Sequence, residues 1–155
     1  MRPLLPLALI LCLPAPNTVV AAVRGGDAMY VGGTIAGLTE KTEGKLDLAE
    51  TAAVFAAKKG AKVTIPYDKI QSLEYGQKAG RRVGLGIAIS PLFLLSHKRR
   101  HFLTIGFVDE AGKQQGGVFE LAKGMVQETL SVFETKSGKK VEYESEEARK
   151  HAGVH

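Results

Sequence analysis

Hydrophobic and polar residues alternate with a period near two through most of positions 28–121, then shift to a period near 3.6. The segment 28–38 (AMYVGGTIAGL) is apolar and rich in glycine, and 45–50 (KLDLAE) places Leu46 and Leu48 on one face, so the two predict a pair of strands joined by a polar turn. Residues 53–57 and 62–65 flank Lys58-Lys59-Gly60, a turn in which Gly60 can take a positive φ. Pro66 ends that strand, Tyr67-Asp68-Lys69 makes a short bend, and 70–75 (IQSLEY) resumes extended structure before a polar stretch at 76–80. The clearest hairpin follows. Leu103, Ile105 and Phe107 alternate along 101–108, residues 118–121 are the partner strand, and Asp109 to Lys113 form the connection, which Gln114-Gln115-Gly116-Gly117 extend as loop or bulge.

The helical period begins at Lys123. Val126, Leu130 and Phe133 fall at i, i+4 and i+7, with Gln127, Glu128 and Glu134 outward, which predicts one amphipathic helix over 123–136. Gly138 supplies a stop, and Lys136 suits the carbonyl end of the helix dipole. Val141 and Tyr143 predict a short strand. The charged stretch 145–155 lacks an apolar face and is expected to fray.

The first 22 residues stand apart. Arg2, the apolar run 4–13 (LLPLALILCL) and Val20-Ala21-Ala22 are the charged, apolar and small-residue parts of a secretory signal peptide, with cleavage expected after Ala22. Pro3, Pro6, Pro14 and Pro16 interrupt the run, and it is shorter than the ~20 apolar residues a spanning helix needs. Cys12 is the single cysteine, so a chain cut at Ala22 has neither disulfide nor thiol chemistry. The expected organisation is a signal peptide over 1–22, one domain over 23–138, and a short strand with a charged tail over 139–155. The expected location is exported: periplasmic or extracellular, and membrane-associated if the basic window meets lipid.

Charge sharpens this picture at one place. The formal net charge is +5, from 21 basic and 16 acidic residues. No acidic residue lies between Glu74 and Asp109, where Lys78, Arg81, Arg82, Lys98, Arg99 and Arg100 bracket the apolar run 83–96 (VGLGIAISPLFLLS). Those six leave 15 basic against 16 acidic residues elsewhere, so the basicity is local. Two readings fit. In one, the apolar tip with Leu92, Phe93 and Leu95 enters a bilayer interface while the cations meet lipid phosphates, each contributing up to ~1 kcal/mol. In the other, 83–89 and 92–95 are buried strand segments and the cations a solvated rim. Fourteen residues are too few for a spanning helix.

Short strands in hairpin order closed by one C-terminal helix resemble the pleckstrin-homology-like superfold, in particular its GRAM and bacterial PH-like branch. The residues that carry the resemblance are Val63-Thr64-Ile65-Pro66-Tyr67-Asp68-Lys69-Ile70, the strand 101–108, and Val118-Phe119-Glu120-Leu121 leading into the helix. The resemblance implies a mainly β (α+β) antiparallel barrel or sandwich of about seven strands with one C-terminal amphipathic helix. It also implies a binding module for phospholipids, peptides or partner domains. In the first hairpin loop Lys41 stands between Glu40 and Glu43, whereas phosphoinositide-binding members cluster basic residues there, so inositol-phosphate recognition is not implied.

Other chemistry is sparse. His97 and His101, like His151 and His155, are four apart, a zinc spacing on a helix. On a strand that spacing is about 13 Å, and cations separate the first pair, so no metal is expected. Gly32-Gly33-Thr34-Ile35-Ala36-Gly37 lacks the Lys and Ser/Thr that a phosphate loop uses, neither it nor Gly84-Leu85-Gly86 begins a helix after a strand, and no cofactor is expected. Ser72, Ser90, Ser96 and Ser131 have no nucleophile context, so no catalytic residue is assigned. Export argues against nucleic acid. The candidate contact residues are therefore Lys78, Arg81, Arg82, Leu92, Phe93, Leu95, Lys98, Arg99 and Arg100. The expected partner is an anionic phospholipid surface or a protein, and the alternative role is a structural subunit that buries 83–96 in an oligomer or partner interface.

Overall fold

The computed structural model describes residues 23–77 and 100–153. Eight strands form one sheet: β1 (Val23–Gly33), β2 (Thr42–Leu48), β3 (Ala52–Ala57), β4 (Lys62–Pro66), β5 (Ile70–Gly76), β6 (His101–Val108), β7 (Gln114–Leu121) and β8 (Val141–Tyr143). Two helices, α1 (Val126–Ser137) and α2 (Glu146–His151), flank β8 in the chain. The strand order is β4-β3-β2-β1-β7-β6-β5-β8. Two meanders, β1 to β4 and β5 to β7, are thus joined through β1 and β7. All pairs are antiparallel except β5 with β8. The sheet is mixed and open, with β4 and β8 at its edges.

Period-two patterning builds the interior. Tyr30, Leu46, Phe55, Ile65, Leu73, Tyr75, Leu103, Ile105 and Phe119 point to one face and are almost completely buried. At the centre the Phe119 ring lies 5.5 Å from Tyr30 and 5.3 Å from Phe55, both tilted, as aromatic quadrupoles favour. Helix α1 closes this core with Val126, Leu130 and Phe133, the predicted stripe, and Phe133 meets Tyr67 edge-on at 5.6 Å. Tyr67 sits in the 3-10 turn Tyr67–Lys69 that Pro66 introduces. Gly138 ends α1 at φ 68°, its N–H bonding the Glu134 carbonyl.

Several elements differ from the patterned expectation. Strand β1 stops at Gly33 rather than running to 38. Gly33 adopts φ 145°, and a Cβ there would fall 2.2 Å from the Gly116 carbonyl oxygen, so a glycine-only turn brings Thr34 onto β7. Thr34 clamps this corner, its N–H donating to Gly116 O at 2.8 Å and its hydroxyl accepting from Gly116 N at 2.9 Å. Gln114 to Gly117 are strand rather than loop, in unbroken register with 105–108. Asp109 explains why: one carboxylate oxygen accepts from Ala111 and Lys113 N–H and the other from the Gln115 amide, completing the turn within five residues.

The C-terminal stretch is a short helix, not an apolar-free tail. The Ser145 hydroxyl caps it by accepting from Ala148 N at 3.1 Å, and Ala148 and Ala152 are buried. The short strand expected at Val141 and Tyr143 is β8, which adds in parallel to the edge that β5 would otherwise expose and brings the sheet to eight strands among the described residues. Lys136 also acts differently from a dipole cap. Its ammonium crosses to the β2–β3 turn, donating to the carbonyls of Ala49 at 3.2 Å and Glu50 at 2.9 Å, above the Tyr67 ring.

Candidate functional site

Strands β5 and β6 define where residues 78–99 leave and rejoin the sheet. Gly76 pairs with Phe102, so the strand ends on either side of the basic window are neighbours. Lys78, Arg81, Arg82, Leu92, Phe93, Leu95, Lys98 and Arg99 lie outside the described residues, as do His97, His155 and the 1–22 segment. Arg100 is described, and its surroundings form the candidate site.

On the outward face the register aligns one row of side chains across four strands: Glu43 on β2 opposite Met29 on β1, Met29 opposite Glu120 on β7, and Glu120 opposite Phe102 on β6. Arg100 folds onto this row, its guanidinium donating to Glu120 Oε2 at 2.7 Å with both side chains partly buried. At the opposite end Lys58 donates to Glu43 Oε2 at 2.6 Å. That exposed contact pulls the Glu43 carboxyl below, and pushes the Lys58 ammonium above, their ordinary values. Between the two ion pairs runs an open groove of about 370 Å³, floored by Ala28, Met29 and Gly44 and bordered by Asp27. Three carboxylates against two cations make the groove itself an unfavourable seat for an anion. Beside it Val31, Phe102 and Val118 form a small buried apolar cluster with Met29, separate from the main core.

The inward face of the same corner carries a second arrangement. His101 and Leu103 point the same way along β6, and Leu103 pairs with Tyr75, so Tyr75 and His101 are diagonal neighbours. Their rings stack 6.2 Å apart, and Tyr75 Oη lies 2.6 Å from His101 Nδ1. Burial pushes the Tyr75 phenol up to about 12, so it keeps its proton through the neutral range. The hydroxyl donates to Nδ1 when that nitrogen is bare and accepts from it when it carries a proton, so the contact serves either tautomer of the ring. Burial lowers the His101 pKa below its ordinary value, and the charges of His151 and Lys123 push it further down while Glu120 opposes them. Tyr143 stands edge-on to Tyr75 at 6.0 Å, and the Glu144 carboxylate accepts from Gln77 N–H at 3.1 Å.

Sequence reasoning reached Arg100 but not Glu120, Tyr75, Met29 or the Lys58–Glu43 pair. The parity of β7 puts Glu120 on the outward face with Val118, a signal present in the sequence; its meeting with Arg100 depends on the register between β6 and β7. Among the described residues there is no cluster of His, Cys, Asp and Glu that could hold a metal ion. Among them, too, no helix is long and apolar enough to cross a membrane. No protein-family model matches the chain, and no curated protein matches it.

Proposed function

We propose that this protein is an exported, non-enzymatic binding module of the pleckstrin-homology-like class that contacts an anionic membrane surface through the basic-flanked apolar segment 78–101. Two meanders joined through β1 and β7 and closed by α1 support the fold reading. The observation that carries the functional reading is the convergence of the strand ends: Gln77 and Arg100 flank neighbouring positions of β5 and β6, so the cations at both ends of the window start from one corner of a rigid sheet. Cations gathered in one window of the chain add their attractions for lipid phosphates.

Co-sedimentation of the full chain with neutral and anionic vesicles, at low and physiological salt, tests this against an Arg99→Glu/Arg100→Glu variant. The expected result is anionic-selective binding that weakens with salt and falls more than tenfold in the variant, since two cations at such a surface contribute roughly 2 kcal/mol. Equal binding by both proteins would remove the basic window from the interaction.

A second reading is a structural subunit that buries 83–96 against an oligomer mate or partner. The outward-face cluster of Val31, Phe102 and Val118 next to the start of β6 is buried within the chain itself and makes this corner of the sheet apolar. A concentration-dependent dimer that ignores lipid would favour this reading over the first.

A further inference from the structure

Strand β4 is an edge of the sheet, and among the described residues no strand pairs with its outer side. Its pairing with β3 runs in unbroken register, and the two ends of that pairing show which amides it uses. Ala57 N–H donates to Ala61 O at 2.8 Å, and Tyr67 N–H to Thr51 O at 3.1 Å. Hydrogen-bonded and non-bonded pairs alternate along an antiparallel ladder, so Val63 and Ile65 exchange bonds with Phe55 and Ala53. Lys62, Thr64 and Pro66 therefore turn their main-chain groups away from β3. The free edge offers two N–H donors, from Lys62 and Thr64, and three carbonyl acceptors, the third from Pro66, which has no N–H.

A second copy of the same strand satisfies both donors. Placed antiparallel about a two-fold axis at Thr64, it sets Thr64 against Thr64 and Lys62 against Pro66. Each Thr64 N–H then donates to the other Thr64 carbonyl, and each Lys62 N–H to a Pro66 carbonyl. We propose that β4 docks on β4 of a second copy of this chain in that register, joining two eight-stranded sheets edge to edge.

The side chains agree with this register. Thr64 and Pro66 share a face with Ala52, and beside them lies an open cavity of about 550 Å³ bordered by the carboxylates of Glu50 and Asp68. Lys62 has the same parity as Thr64 and Pro66, so Lys62 of the second copy projects on the cavity side, next to Pro66. Its alkyl stem meets Ala52 and Pro66 while its ammonium faces the acidic border. A register centred on residue 62 would instead set Lys62 against Lys62, which like charges disfavour. On the other face Val63, half-buried against the core, comes opposite Ile65 of the second copy. Lysine and proline commonly guard a sheet edge, yet in this register neither obstructs the contact. Five residues per copy make a short interface, so the dimer is a weak, concentration-dependent one. It rests on neither the membrane reading nor residues 83–96.

Sedimentation equilibrium of the full chain between about 5 and 500 µM, with amide hydrogen exchange over the same range, tests the docking. The expected result is a monomer–dimer equilibrium in which the Thr64 amide gains protection as the dimer forms. Thr64→Pro removes an outward N–H and no bond to β3, so the monomer keeps its fold. By symmetry the dimer loses two hydrogen bonds, and its dissociation constant should rise at least about tenfold. Lys62→Glu and Asp68→Lys should each weaken self-association about fivefold, whereas an equimolar mixture of the two, which sets opposite charges together at both ends of the interface, should recover it. A chain that stays monomeric throughout, a dimer that persists in Thr64→Pro, a Thr64 amide that gains no protection, or no recovery in the mixture would overturn the proposal. Vesicle binding is not read in these measurements, so the proposed function stands or falls separately.

Discussion

The Arg100 guanidinium donates to the Glu120 carboxylate at 2.7 Å, tying the residue that closes the basic window to the neighbouring strand β7. Both side chains are partly exposed, so the pair contributes roughly 0.2–1 kcal/mol to stability. Its larger effect is electrostatic: Glu120 neutralises in place a cation of the proposed membrane-contact segment. Glu120→Gln is expected to change urea unfolding by less than about 1 kcal/mol, yet to raise anionic-vesicle affinity about fivefold by freeing Arg100. Unchanged vesicle affinity in this variant would mean that Arg100 is not a contact residue.

Lys136 is expected to be the most consequential surface-reaching cation for folding. Its ammonium satisfies the carbonyls of Ala49 and Glu50 and lies 5.6 Å from the Tyr67 ring centre, joining α1 to the β2–β3 turn. Lys136→Met keeps the apolar stem and removes the charge. Because hydrogen bonds to charged groups contribute roughly 1.5–3 kcal/mol, the urea midpoint should fall correspondingly. A loss confined to a few tenths of that range would show that the turn carbonyls are equally well served by water.

Two glycines with positive φ should respond differently to alanine. At Gly33 the new Cβ would lie 2.2 Å from a backbone oxygen that cannot move without breaking the β1–β7 corner, whereas at Gly37, φ 82°, nothing lies within 4 Å. Gly37→Ala should therefore cost only the backbone strain, about 1–2 kcal/mol, and Gly33→Ala distinctly more. Equal thermal shifts for the two variants would contradict the close approach at Gly33.

Alkali should unfold the protein through its buried phenols. Burial raises both Tyr67 and Tyr75 from 10.0 to about 12. A folded-state pKa above the unfolded value means that the stability these groups contribute is intact below pH 10 and is lost as pH rises through 12. Tyr67 Oη has no hydrogen-bond partner, so Tyr67→Phe should be neutral or stabilising at pH 7 and should flatten the alkaline decline, as circular dichroism against pH would show. An alkaline decline as steep as in wild type would assign the effect elsewhere.

The chain's local patterns were enough to define most of the elements. Alternation located the strands from β2 to β6, Pro66 the end of β4, the stripe Val126, Leu130 and Phe133 the buried face of α1, and Gly138 its stop. Each depends on residues within one or two turns of one another, where the preference for burial or for a backbone angle acts locally. What local pattern could not express was decided by pairing between distant segments. The polar, glycine-rich Gln114 to Gly117 became strand because β6 offered it a register and Asp109 completed the turn. The charged 145–151 stretch became helix because Ser145 could cap it and Ala148 and Ala152 found an apolar surface to cover. The candidate site followed the same division. Sequence showed that the basic residues cluster, but only the register of β5, β6 and β7 brings Arg100 to Glu120 and Tyr75 to His101, because side-chain partners across a sheet are fixed by strand alignment and not by distance along the chain.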